Sequence, residues 1–212
     1  MKRYFFGLLI FVFLGYHSIS QEVIEERYLF PEFVDGTMLM KDGKKRQVII
    51  NYDKATEEMI LFISSMKLTI ARTEIELIDT IYMEERKFVR MDNKFLEFLD
   101  QSVDATLYVQ HKCNVIYHEG GGKYVGVGTG PRYQIIRQNE SFFQGDYSVE
   151  PYLIYWIRKD NVMNEITTLS DLKKVYSRQK AKLNKYIRNN KVEFEDTNQL
   201  MKLIGYLEEE SQ

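Results

Sequence analysis

The spacing of turn residues is the feature that most constrains the fold of this chain. Between residues 33 and 99, short apolar segments recur about every 8–12 residues, separated by turn formers such as Asp42-Gly43, Ser64-Ser65 and Asp92-Asn93. This spacing is typical of an antiparallel meander, because βαβ units need long helical segments between their strands. The strands predicted here are residues 37–41, 46–52, 59–63, 67–72, 78–83, 87–91 and 95–99.

Four further strands are predicted in the second half of the chain, at residues 105–117, 133–137, 152–158 and 162–166. In the first of them, the period of two places the odd-numbered residues on the buried face. Within the third of them, residues 152–157 (YLIYWI) are apolar on both faces. We therefore expect that strand in the middle of the sheet or beneath helices.

After residue 167 the apolar period changes from that of a strand to that of a helix. The apolar faces of two predicted helices consist of Leu172, Val175, Tyr176, Leu183, Tyr186 and Ile187 in the first, and Leu200, Leu203, Ile204 and Leu207 in the second. Thr168 or Ser170 can cap the first helix, and Asp196 with Gln199 resembles a capping box for the second.

These patterns predict an α+β fold. We expect an antiparallel, twisted β meander of about nine strands, which can close into a partial barrel, followed by a C-terminal two-helix hairpin. The predicted organisation is a signal peptide at residues 1–20, a β-rich meander at 21–167 and a helical hairpin at 168–212 that packs on the sheet. Meander and hairpin together form one compact domain.

Residues 1–20 have the pattern of a secretory signal peptide. Lys2 and Arg3 precede an apolar core at residues 4–15, and small residues stand at Ser18 and Ser20, before a cut at Gln21. The apolar core is about a dozen residues long, which is too short for a helix to cross roughly 30 Å of hydrocarbon. The alternative to a cleaved signal peptide is an uncleaved N-terminal anchor. No cysteine stands at the cut and no later apolar run reaches transmembrane length. We expect an exported protein, periplasmic or secreted, that is not a lipoprotein.

Composition restricts the partners of the mature chain. The formal charge is −2, and removal of Lys2 and Arg3 with the signal peptide makes it −4. A mildly acidic exported chain is a poor candidate for binding nucleic acid. Cys113 is the only cysteine, so an intramolecular disulfide cannot form. We expect no cofactor.

His111, Cys113 and His118 are the only residues whose spacing is compatible with a metal site or a nucleophile. His111 and Cys113 project from the same face of the predicted strand, close enough to share a metal ion or to form a Cys–His pair. His118 has the opposite parity and would join them only through a bulge. The alternative is a core role, because neighbouring Val109 and Val115 make that face apolar.

Residues 120–130 hold six of the twelve glycines of the chain and predict a loop. Pro131 and the strand predicted after it do not match a phosphate-binding loop, which leads into a helix. One interpretation is a flap over a ligand site, with Lys123, Tyr124 and Arg132 as binding residues. The other is a surface loop without a function.

The first predicted helix has a strongly basic face. Asp171 is the only acidic residue among its eight basic ones, which are Lys173, Lys174, Arg178, Lys180, Lys182, Lys185, Arg188 and Lys191. Such a face suits contact with an anionic membrane surface, and it equally suits the solvent-exposed side of a helix packed on a sheet.

Four phrases in order resemble a family of uncharacterised exported proteins of Bacteroidota. They are FVDGTMLMKDG at residues 33–43, IDTIYMEERKFV at 78–89, VQHKC at 109–113 and YLIYWIRKD at 152–160. The resemblance implies export and assigns no catalytic residue.

The sequence therefore predicts non-catalytic binding of another envelope protein or of a small ligand. The alternative is an exported metal-dependent or thiol enzyme that uses His111, Cys113 and His118. A self-assembling structural component is a third class, and it would oligomerise through an exposed edge strand.

Overall fold

The structure, a computed structural model, describes residues 26–102, 104–117 and 147–209. Ten strands form a single antiparallel sheet in the order β10-β9-β8-β7-β6-β5-β1-β2-β3-β4. Their bounds are β1 (Val34–Met40), β2 (Lys45–Asp53), β3 (Glu58–Ile63), β4 (Met66–Thr69), β5 (Ile78–Met83), β6 (Arg86–Met91), β7 (Lys94–Gln101), β8 (Ala105–Tyr117), β9 (Tyr147–Lys159) and β10 (Val162–Ile166). The α+β prediction is confirmed, and the sheet is not closed.

Left-handed backbone at the turns explains why the hairpins form where the turn residues predict them. Gly43 has a φ of 84°, Ser64 and Ser65 have φ values of 50° and 63°, and Asp160 and Asn161 have values of 51° and 59°. Two successive residues with positive φ match the right-handed twist of the strands that they join.

The end of the predicted strand 67–72 is wrong. β4 ends at Thr69, and a short helix, α1 (Arg72–Ile75), follows it. The reason lies in the strand order, because β4 is an outer strand whereas β5 pairs with β1. The chain must therefore leave the sheet after β4, because β3, β2 and β1 lie between β4 and the position of β5.

The helical segment contains α2 (Leu169–Val175), a 3₁₀ turn (Ser177–Gln179), α3 (Lys180–Asn190) and α4 (Thr197–Glu209). Thr168 caps α2, and its hydroxyl accepts a hydrogen bond from the backbone N–H of Asp171 at 3.2 Å. The first predicted helix is interrupted at Tyr176, whose φ of −98° and ψ of 38° lie outside the helical region. Asp196 accepts a hydrogen bond from the backbone N–H of Gln199 at 3.0 Å, as predicted for a cap of α4.

Two clusters of buried side chains stabilise the fold. The helical core lies between β8–β10 and the helices, and it contains Ala105, Leu107, Val109, Tyr155, Ile157, Ile166, Leu172, Tyr176, Leu183, Val192, Leu200, Leu203, Ile204 and Leu207. The strand core lies against the first seven strands and contains Phe30, Met38, Met40, Ile50, Tyr52, Met59, Ile70, Ile78, Ile81, Met83, Phe88 and Phe95. Within residues 26–102, 104–117 and 147–209, each helix is too short or too polar to span a bilayer.

Candidate functional site

His111 of β8 contacts Glu97 of β7, and the pair lies between the two cores. The Nε2 atom of His111 is 2.5 Å from Oε2 of Glu97, and both residues are buried. In the sheet register Glu97 pairs with Phe88 of the strand core on one side and with Val109 of the helical core on the other. The Arg86 guanidinium lies 3.4 Å from the second carboxylate oxygen of Glu97. The three side chains therefore join the two cores through a polar contact.

Cys113 is half-buried beside the end of β2 and has no disulfide partner. Burial, with a smaller contribution from the nearby Asp53 carboxylate, raises the pKa of its thiol to about 11. A thiol with such a pKa is protonated at neutral pH, whereas catalytic cysteines have lowered pKa values. His111 therefore has a carboxylate partner in Glu97, and the protonated thiol of Cys113 packs as a small apolar side chain.

The β2–β3 turn contacts β8 through side chains that lie on the opposite face of that strand from His111. The backbone N–H of Cys113 donates to the carbonyl of Lys54 at 3.1 Å. Glu57 in this turn accepts a hydrogen bond from the Gln110 side chain and lies 2.5 Å from the Lys112 ammonium. The hydrogen bond from Lys112 to Glu57 raises the pKa of Lys112, so this ammonium stays charged at neutral pH. These contacts make the sheet curve without closing it.

Trp156 of β9 contacts the same Gln110 side chain that bonds to Glu57. Its indole Nε1–H donates to Oε1 of Gln110 at 3.1 Å, and the Lys94 ammonium lies 4.2 Å from the centre of its ring. The amide of Gln110 is thus bonded to Trp156 at one end and to Glu57 at the other, which satisfies a buried polar side chain.

An open groove of about 480 Å³ lies along β9. It is lined by Pro151, Tyr152, Leu153, Ile154, Tyr155, Thr167, Phe194 and Glu195. The rings of Tyr155 and Phe194 meet edge to face at 5.3 Å, and the Tyr155 hydroxyl lies 2.8 Å from the hydroxyl of Thr197. Burial raises the pKa of Tyr155, which keeps this hydroxyl neutral. The groove combines an aromatic wall with the polar groups of Thr167 and Glu195.

The groove lies where β9 has a strand on one side only. β9 pairs with β8 along Tyr147–Lys159, whereas β10 pairs with residues 155–159 alone. In the part of the chain that the structure describes, no strand therefore pairs with residues 148–154 on the β10 side. Edges of this kind are templates for pairing with another chain.

Four of the predicted site residues lie outside the described residues, namely His118, Lys123, Tyr124 and Arg132. Their roles as metal ligand or binding residues stay predictions. Among the residues that the structure does describe, no group of three His, Cys, Asp or Glu side chains could hold a metal ion.

No protein-family model matches this chain. Searches of curated proteins and of solved structures also find no match. The chemistry of the site therefore rests on its own residues.

Sequence reasoning missed Glu97, Thr167 and Phe194. Glu97 sits at a position of β7 where period-two alternation would place an apolar residue facing the core, next to Phe95 and Leu99 on the same face of the strand. A lone charge on an apolar face signals a buried partner, and this signal could have found it. Nothing local indicates that Phe194 reaches β9, because that contact depends on how the helices dock.

Proposed function

We propose that this chain is an exported, non-catalytic binding module that binds an extended segment of another envelope protein. The observation that carries the proposal is the open edge of β9 beside an aromatic groove. The proposed export is supported by the signal-peptide pattern of residues 1–20 and by the resemblance to exported proteins of Bacteroidota.

The direction of the backbone groups supports pairing along this edge. Cys113 points its N–H to Lys54, away from β9, and it pairs with Pro151. Because backbone groups alternate along an antiparallel strand, the odd-numbered residues of β9 direct their backbone groups to the open side. Val149 and Leu153 therefore offer both an N–H and a carbonyl there, whereas Pro151 offers only its carbonyl.

The groove supplies what an edge alone lacks, which is selectivity. When a peptide adds to a sheet edge, main-chain hydrogen bonds give affinity and pockets for alternate side chains give specificity. A peptide continuing the line of β10 along β9 would place its side chains alternately on the two faces of the sheet, one beside Tyr152 and a neighbouring one beside Phe194 on the helix side. The carboxylate of Glu195 at the same groove favours a basic residue next to it.

The test is selection of displayed random linear peptides on the purified protein, followed by calorimetry with a selected peptide. Tyr152→Ala should weaken binding at least about tenfold, because the variant removes an aromatic anchor of the groove. Tyr82→Ala on β5 is a matched control, since the exposed fractions of the two tyrosines are 39% and 38%. Backbone N-methylation of the peptide at alternate residues should also abolish binding in one register and spare it in the other.

Two outcomes would contradict the proposal. One is a selected peptide that binds Tyr152→Ala and the unaltered protein equally well. The other is a failure to select any peptide while crosslinking in intact envelopes also yields no stoichiometric protein partner.

A further inference from the structure

We propose that the exposed face of α3 is an electrostatic docking surface for an anionic phospholipid bilayer. The basic face, as we name it, consists of Lys180, Lys185, Arg188 and Lys191, all of which are exposed. This inference does not depend on the groove at β9, because the residues concerned are different.

Three of the four cations lie on one side of the helix, and the fourth follows its last residue. At 100° per residue, Lys180, Arg188 and Lys185 fall within an arc of about 140° and span about 12 Å along the axis of α3. Lys191 is the left-handed C-cap of the helix. Leu183 is fully buried in the helical core, and its direction lies outside this arc. Docking of the helix hairpin on the sheet therefore turns the basic face outward.

The segment that carries this face has little negative charge of its own. Asp171 is the only acidic residue between Leu169 and Lys191, and its carboxylate is engaged by Lys174 at 2.8 Å and by the Thr168 hydroxyl at 2.8 Å. Within the described residues, none of the four cations of the basic face forms an ion pair. The excess of positive charge is confined to residues 169–191, which hold 8 basic residues and 1 acidic residue. The rest of the chain has 21 basic residues (29 less 8) and 30 acidic ones (31 less 1).

The shape and chemistry of the face favour a bilayer over other anionic partners. The other exposed residues of α3 are Ala181, Asn189 and Asn190, so the helix exposes no large apolar side chain for insertion and no aromatic ring for stacking on a base. The basic face is the convex surface of a helix and not a groove. A bilayer presents a broad surface of diffuse negative charge, which cations spread over the convex side of a helix can contact together.

The experiment is co-sedimentation of the purified protein with vesicles of phosphatidylcholine containing one-third phosphatidylglycerol, and with vesicles of phosphatidylcholine alone. Each cation near such a surface contributes about fivefold to partitioning. Replacing all four by glutamine (K180Q, K185Q, R188Q and K191Q) should therefore lower partitioning at least about tenfold, without loss of helix propensity. Raising the salt concentration should weaken binding of the unaltered protein.

The matched control removes four exposed cations elsewhere, with K41Q, K45Q, R72Q and K202Q. It should retain partitioning within about twofold, because those residues lie off the basic face. The urea midpoint of each variant shows whether it is folded. Equal binding to both kinds of vesicle, no binding at low salt, or an equal loss in the two variants would overturn the proposal. So would preferential binding of a DNA fragment with the anionic vesicles left unbound.

Discussion

The Nε2 atom of His111 lies 2.5 Å from Oε2 of Glu97, between the core beneath the helices and the core against the first seven strands. Arg86 approaches the other oxygen of the same carboxylate at 3.4 Å. Glu97 therefore contacts one side chain from each of its two neighbouring strands, and its removal would leave the buried imidazole of His111 without this polar partner.

We expect Glu97→Ala to lower the free energy of unfolding by about 2 kcal/mol, because the buried His111 side chain loses its partner. Urea denaturation followed by circular dichroism measures this change. Glu85→Ala, at an exposed position in the β5–β6 turn, should stay within about 0.5 kcal/mol of the unaltered protein. Equal effects of the two substitutions would show that the Glu97 contact contributes nothing to stability.

The thiol of Cys113 should react slowly at neutral pH. Its pKa is raised by burial from an ordinary value of 9.0 to about 11, so the fraction of thiolate at pH 8 is about a hundredfold lower than for an ordinary thiol. The alkylation rate should rise as the pH approaches 11, and urea-unfolded protein should react with the ordinary profile.

The stability that this protonated thiol contributes is present below pH 9 and is lost between pH 9 and pH 11, because the folded state binds the proton more tightly than the unfolded state. Ser177→Cys, at an exposed position of the 3₁₀ turn, is a reference thiol in the same fold. Fast alkylation of Cys113 at pH 7 would instead indicate an activated nucleophile and would revive the thiol-enzyme alternative.

The Lys159 ammonium lies 2.8 Å from the carboxylate of Glu208 and joins β9 to α4. The side chain of Glu208 is 1% exposed, so Lys159→Met should cost about 3–5 kcal/mol of unfolding free energy by leaving a buried carboxylate unpaired. The double variant Lys159→Met with Glu208→Leu should recover most of this loss, since it removes both charges. A double-mutant cycle in urea measures the coupling, and additive losses would contradict a buried pair.

Two glycines should respond in opposite ways to alanine. A Cβ atom at Gly36 in β1 would lie 2.5 Å from Cγ2 of Ile50 and 2.9 Å from the carbonyl oxygen of Tyr82, so Gly36→Ala should destabilise the fold by about 1–3 kcal/mol. A Cβ atom at Gly205 in α4 would meet nothing within 4 Å, and Gly205→Ala should stabilise by about 0.5–1 kcal/mol. Thermal unfolding distinguishes the two signs, and a destabilising Gly205→Ala would show that α4 packs more tightly than its neighbours indicate.

Local features of the fold were predictable from sequence because their causes are local. The turns at Ser64-Ser65 and Asp160-Asn161 form at polar turn residues, of which Asp and Asn tolerate positive φ, and the Thr168 and Asp196 caps form within four residues along the chain. The change of apolar period after residue 167 likewise predicts the switch from strands to helices. The break of the first helix at Tyr176 was not predicted, because the apolar period continues through it.

The sequence by itself determined most of the strands and turns that the structure describes, together with the helix caps, because these depend on backbone preferences and on the alternation of side chains. The predicted strand at 133–137 lies outside the described residues. Only the tertiary structure decided that β5 lies beside β1, that His111 contacts Glu97 and that Phe194 faces the open edge of β9. Those relationships join residues far apart in the sequence, and they depend on the register of the sheet and on the docking of the helices. No local pattern encodes either, because both are set by the packing of the two cores as a whole.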